Sequence, residues 1–259
     1  MDDGVKCRSF RLAKPEFVGD IIAMGVYGRL ALLRDDASRV YKFCAIDNSE
    51  GVEAIEQEKK ILEILGHHDR ITHLHWTDRR GLCFEYYRSG TLMSYYKDLH
   101  PALPPFAQRI LWCQQVIDGV AYIHSKNVVH NDISARNILL SSSMDIKICD
   151  FGFSRMIGEE ITGGPEIRYS RPRPGSQLEA TVLDDIFSVG SLLYEILMGS
   201  LPYADTETIE VDRRFQAHVF PPTEDVRPMI FADIIEKCWN EKYQSISSIQ
   251  DDLGAHHFS

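Results

Sequence analysis

Three oxygen-bearing side chains stand at spacings that suit phosphate chemistry: Asp132, Asn137 five residues on, and Asp150 thirteen beyond the amide. An acid of this kind can orient a hydroxyl, and an amide oxygen with a second acid can hold a hard divalent cation against a chain of phosphates. They lie in His130-Asn131-Asp132-Ile133-Ser134-Ala135-Arg136-Asn137 and in Asp150-Phe151-Gly152. Apolar runs at 138–140 and 146–149 flank a polar turn at 141–145, which predicts a hairpin with Asn137 at its entry and Asp150 at its exit. Taken singly, Asp132 and Asp150 read equally well as turn aspartates and Asn137 as a strand cap. It is the joint spacing that points to a site.

The elements upstream supply what such a site needs. Residues 17–33 read as a hairpin whose tip carries little side chain, with Ala23, Gly25 and Gly28 at positions where backbone amides could approach phosphate closely. A short strand, Arg39-Val40-Tyr41-Lys42-Phe43-Cys44, carries one lysine among β-branched and aromatic residues. In the following helical stretch, 51–66, Ile55, Leu62 and Leu65 share one face, and Glu58 falls within that stripe. A carboxylate turned inward requires a cation, and Lys42 is the natural one; Glu53 or Glu56 would take its place on a rotated helix. Gly66 is a helix stop. Further strands are predicted at 72–76 and 82–85, completing five strands with one helix, and glycine and serine at 89 and 90 mark a boundary.

Beyond it, helices are predicted at 106–124, 184–197, 206–217, 229–239 and 247–253. Cys113 and His124 fall on the apolar face of the first and read as packed residues. The second is apolar nearly all round, as a helix at the centre of a domain should be.

The octet and the triplet together resemble the catalytic loop and metal-binding triplet of the eukaryotic protein kinases, H-R-D-x-x-x-x-N and D-F-G. The resemblance extends over residues 17–253 and implies a two-lobed α+β protein kinase fold. A small five-stranded lobe with one helix (17–88) precedes a larger, mainly helical lobe (89–253), and 1–16 form an extension. It implies ATP and Mg2+, with Mn2+ as an alternative, and transfer of the γ-phosphate to a protein hydroxyl. Asp132, Lys42 and Glu58 take the catalytic positions, and Asn137 and Asp150 those of the metal ligands. Ala23, Gly25, Gly28, Leu30, Val40, Lys42, Phe84, Glu85, Tyr87 and Arg136 fall at nucleotide-binding positions. Within these, Tyr27 stands at the loop-tip aromatic, Phe84 at the gatekeeper, and Glu85 and Tyr87 at the hinge whose backbone meets the adenine. Asp185 corresponds to the aspartate that holds the catalytic loop.

Departures from the family pattern are as informative. Asn131 replaces the arginine that pairs with a phosphate on the activation segment, so turnover should not depend on that switch; alanine at Thr162, Tyr169 and Ser170 together is expected to leave it largely intact. Ser134-Ala135-Arg136-Asn137 resembles the A-A-R-N form of tyrosine and tyrosine-like kinases, with Arg136 supplying the cation that serine/threonine kinases draw from lysine. Tyr169 stands where tyrosine kinases usually carry tryptophan, and serine or threonine is the favoured acceptor. The A-P-E turn reads Arg171-Pro172-Arg173, and the C-terminal arginine that would pair its glutamate is missing as well. Losing both partners is coherent, because losing one would strand a buried charge. The alternatives to an active protein kinase are a pseudokinase that binds nucleotide as a scaffold, which Ala23, Asn131 and Arg173 favour, and a small-molecule kinase.

Over 259 residues the net charge is −10, which argues against nucleic acid as a partner, since phosphate neutralisation needs a basic surface. Apolar residues at 44% and charged residues at 25% are ordinary globular values. The six cysteines are scattered singly, without zinc-ligand spacing. The first residues lack a secretory pattern, and the longest apolar stretch, 186–198, is interrupted by Glu195 and too short to span a bilayer. The kinase resemblance implies a monomer whose partners are ATP and a protein substrate, and these features add the expectation of no membrane or nucleic-acid partner and a place in the cytoplasm, with the nucleus left open.

Overall fold

The computed structural model describes residues 10–11, 14–25, 28–44, 46–47, 49–99, 103–173 and 179–255, so that Tyr27 and most of the 1–16 extension lie outside the described residues. The chain is α+β and divides into two compact units, Met1–His67 with His73–Tyr86, and His68–Thr72 with Tyr87–Ser259. The division falls at Tyr86 and Tyr87, two residues before the expected boundary.

The first unit comprises β1 (Phe10–Arg11), β2 (Val18–Met24), β3 (Arg29–Leu33), β4 (Arg39–Phe43), β5 (Ile46–Asp47), α1 (Ser49–Leu65), β6 (Leu74–Thr77) and β7 (Gly81–Glu85). Five of the strands form an antiparallel sheet in the order β2-β3-β4-β7-β6, and β1 pairs with β5. Strand alternation sorts the side chains. Val18, Ala31, Tyr41, Phe43 and Cys83 build one apolar cluster, against which Leu33 and Trp76 pack. Helix α1 ends where Gly66, at φ +62°, donates its N–H to the Leu62 carbonyl, as the sequence predicts. The strand expected from residue 72 begins instead at Leu74, because its first residues pair elsewhere: Ile71 bridges Ile148, and Thr72 N–H donates to the Ile148 carbonyl, both in the second unit.

The second unit opens with α2 (Leu92–Ser94), capped by Thr91, and a π-helical turn at Tyr95–Leu99 that sequence periodicity does not announce. Next in the chain are α3 (Phe106–Ser125), β8 (Val128–Val129), β9 (Ile138–Leu140), β10 (Ile146–Ile148), β11 (Arg155–Met156), α4 (Val182–Met198), α5 (Thr208–Gln216), α6 (Met229–Trp239) and α7 (Ile246–Gly254). Thirteen residues of α4, from Ile186 to Leu197 with Asp185 before them, are buried together with Asp184, as the all-round apolar pattern requires. Gly190 lets α6 come close: a Cβ there would meet Cys238 Cβ at 2.7 Å. Trp239 Nε1 donates to Ser191 Oγ at 3.0 Å across the same contact. No helix among the described residues is long and apolar enough to cross a membrane, and the described cysteines carry no disulfide.

Candidate active site

In the second unit the β9–β10 hairpin explains the spacing from Asn137 to Asp150. Its three antiparallel pairs end at Ile138 with Ile148, and Cys149 N–H extends the ladder to the Asn137 carbonyl at 2.9 Å. Residue 137 and residue 150 therefore emerge at the same end. Helix α3 fixes the other end: Gln115 donates to Asp145 Oδ1 and accepts from Ile146 N–H, and Trp112 Nε1 donates to the Met144 carbonyl.

The loop before β9 is bound to the chain beyond β10 by several bonds. His130 Nε2 meets the Cys149 carbonyl at 3.1 Å, its ring stands edge-on to Phe151, Ser154 Oγ donates to the His130 carbonyl, and Asn131 Nδ2 donates to the Phe153 carbonyl. Pairing of β8 with β11 runs alongside. Asn131 and Asp150 both adopt left-handed backbone, φ +61° and +65°, a conformation that Asn and Asp tolerate better than other residues bearing a Cβ.

Asp132 is buried, and both of its oxygens are engaged: Oδ1 with Arg136 Nη2 at 2.6 Å, Oδ2 with Asn137 Nδ2 at 2.8 Å. Burial pushes its carboxyl above the usual carboxylate range, against the opposing pull of Arg136, His130 and the Asn137 bond. Asn137 Nδ2 also donates to the Asp132 carbonyl, so its amide nitrogen is used up and Oδ1 is the atom left to face a cation. Among the described residues no three His, Cys, Asp or Glu side chains form a ready-made metal cage.

In the first unit Lys42 Nζ lies 2.6 Å from Glu58 Oε2, and Glu58 is buried, so the pair involves Glu58 rather than Glu53 or Glu56. The strand registers Ala23 with Leu30, Leu30 with Lys42, Lys42 with Leu82, and Val40 with Phe84 put Ala23, Leu30, Val40, Lys42 and Phe84 on one face of the sheet. At the tip Gly25 N–H donates to the Gly28 carbonyl at 2.8 Å, and a Cβ on Gly28 would sit 3.6 Å from Lys42 Cε. Glu85 N–H is bonded to the His73 carbonyl. The Tyr87 carbonyl, in the second unit, accepts Gly90 N–H.

The profile of the protein tyrosine and serine/threonine kinase domain matches residues 34–251. The chain belongs to that family. In this kinase Asp185, fully buried at the start of α4, holds the catalytic loop: it accepts from His130 N–H at 2.7 Å and Asn131 N–H at 2.9 Å, and His124 Nε2 lies 2.9 Å from it. His124 is thus packed, as expected, but also serves that carboxylate.

Two sets of polar contacts escape sequence reasoning. The first is a buried pair, in which the Tyr169 hydroxyl donates to Glu195 Oε2 and Ser188 Oγ donates to the Tyr169 carbonyl. This corrects the expectation for the Thr162, Tyr169 and Ser170 triple alanine. Tyr169 is a core residue, and its removal would strand Glu195, so the triple variant tests packing rather than a phosphate switch. The second set replaces the missing glutamate–arginine anchor: Arg171 and Arg173 both bind Asp184, and Arg171 also reaches Glu241.

Glu195 yields a prediction about pH. Burial, reinforced by Glu166 and opposed by the Tyr169 bond, raises its carboxyl to about 7. A folded-state pKa above the unfolded value favours folding of the protonated form, so this contribution is complete below about pH 4.5 and is lost as pH rises through about 7. In denaturant titrations the stability of Glu195→Gln relative to the native kinase should therefore increase by about 3 kcal/mol across that window. A difference flat with pH would contradict it.

Proposed function

We propose that this kinase transfers the γ-phosphate of ATP to a serine or threonine hydroxyl of a protein, with Mg2+ or Mn2+. The observation that carries this is the pair of hydrogen bonds that Asn137 Nδ2 donates to the Asp132 carbonyl and carboxylate, at the mouth of the hairpin whose other strand leads into Asp150. Asp132, oriented by Asn137 and Arg136, would accept the proton of the acceptor hydroxyl. Lys42, fixed by Glu58, would orient the phosphates beneath Ala23, Gly25 and Gly28, and Leu30, Val40 and Phe84 would meet the adenine with the backbone of Glu85 and Tyr87. Asn137 Oδ1 and Asp150 would hold the divalent cation, which neutralises phosphate charge when bound. Because phosphoryl transfer asks mainly for positioning and charge stabilisation, these roles suffice for turnover.

The departures that suggest a pseudokinase are absorbed locally: Asn131 bonds the Phe153 carbonyl, and Arg173 pairs with Asp184. The test is transfer of radiolabelled γ-phosphate to dephosphorylated casein, with Asp150→Ala as control. Label above that control in the presence of Mg2+ or Mn2+ is the expected outcome; none would sink catalysis in favour of a scaffold. Phosphoamino acid analysis of the product decides the acceptor, and phosphotyrosine alone would overturn serine/threonine.

A further inference from the structure

The segment between the Asp150 triplet and α4 is held by cations at the positions where the family pattern carries an A-P-E turn. Arg171 is 8% exposed, with Nε 2.8 Å from Asp184 Oδ1 and Nη1 3.5 Å from the Glu241 carboxylate. Arg173 Nη2 lies 2.8 Å from the other oxygen, Asp184 Oδ2, which also accepts from the backbone and hydroxyl of Thr181. Asp184 thus anchors the segment, while its neighbour Asp185 anchors the catalytic loop. One turn of helix holds both.

What this anchor fixes lies beside the loop that carries Asp132. Upstream of Arg171, Tyr169 carries the buried bond to Glu195, with the backbone amide of Ala135 in the catalytic loop beside its hydroxyl. Asn131, Gly163, Gly164, Ser170, Arg171 and Asp184 line a single cavity, so the anchor and the residue preceding Asp132 face the same space. The metal-ligand positions are fixed by other contacts, through Gln115, Trp112 and the hairpin ladder.

Resting on the protein kinase function proposed above, we propose that Arg171 is a positioning residue for the protein acceptor: clamped by Asp184 and Glu241, it fixes the 166–171 segment that walls the cavity beside Asn131, where the acceptor would be seated next to Asp132. Arg171→Met, which keeps the apolar stem, should raise KM for dephosphorylated casein about tenfold, with kcat and KM for ATP within about twofold. Arg171→Lys restores the charge and should bring casein KM back to within about threefold of native. Glu241→Gln, at the more exposed partner, should shift casein KM in the same direction by less. An unchanged casein KM, or an equal rise in KM for ATP, overturns the proposal.

Hydrogen exchange separates this from failure of the kinase function itself. The amides of Tyr169 and Ser170 donate to the Glu166 and Ile167 carbonyls and should exchange faster in Arg171→Met than in the native chain. If the native chain transfers no phosphate, the function falls, and exchange alone decides the anchor. Native exchange rates at those two amides would overturn it.

Discussion

An Asp132→Asn variant is expected to lose about 10²–10⁴-fold in phosphoryl transfer, the usual worth of a positioned general base. The substitution keeps the shape of a side chain that is 3% exposed, so there is no cavity to destabilise the fold. It removes the charge that Arg136 neutralises and the oxygen that would take the acceptor's proton. Nucleotide affinity should change little, because the residues proposed to hold the phosphates and the cation, Lys42, Asn137 and Asp150, remain. The pH profile carries the second half of the expectation. Burial raises the Asp132 carboxyl, and only its ionised form can accept a proton, so native turnover should fall as pH drops through a value above that of an ordinary aspartate. The residual rate of the asparagine variant should lack that acid limb. Turnover within threefold of native, or an unchanged acid limb, would remove Asp132 from the chemistry.

The residues legible in the sequence are those whose partners are near in the chain or fixed by a repeating pattern. Asp132 and Asn137 are five apart on one loop, and a three-residue strand, a turn and a second strand bring Asp150 back beside them. Glu58 was legible for a different reason. A carboxylate inside an apolar helical stripe needs a cation, and one stood on the preceding strand. The same physics applied to Glu195, within the all-apolar run of α4, but its partner Tyr169 lies twenty-six residues away on an irregular segment, and no periodicity pointed there. Taken as a mere interruption of an apolar run, Glu195 concealed a core tyrosine.

Arg171 was hidden more deeply. Its partners Asp184 and Glu241 are 13 and 70 residues distant, and the family pattern directed attention to the absent glutamate at position 173 instead of to the cation two residues before it. The late start of β6 has the same origin, since Ile71 and Thr72 satisfy local strand preference, yet Ile71 is bracketed by a bridge in which Thr72 N–H donates to the Ile148 carbonyl and Ile148 N–H to the Arg70 carbonyl. Local pattern fixes which elements form; long-range polar pairing decides how their ends are fastened.

Removing Asp185 should therefore do more damage than its distance from the reacting groups suggests. Asp185→Ala leaves the His130 and Asn131 amides without their acceptor in a fully buried place, and deprives His124 of the same carboxylate. Breaking a buried charge-assisted network of this kind costs about 3–5 kcal/mol. At about 2–4 °C per kcal/mol, melting should fall by roughly 10 °C. Asn131 compounds the loss, because its left-handed backbone is tolerated only while the surrounding bonds hold it. The hairpin that presents Asn137 and leads to Asp150 is tied separately to Gln115 and Trp112. Below the lowered melting point, Mg2+-ATP affinity should consequently survive while kcat falls, since Asp132 sits two residues from the released amide of His130. Equal losses in nucleotide affinity and kcat would mean that Asp185 supports the whole unit and not the catalytic loop in particular. A melting shift no larger than that of an exposed control such as Asp233→Ala would show that the loop is held without it.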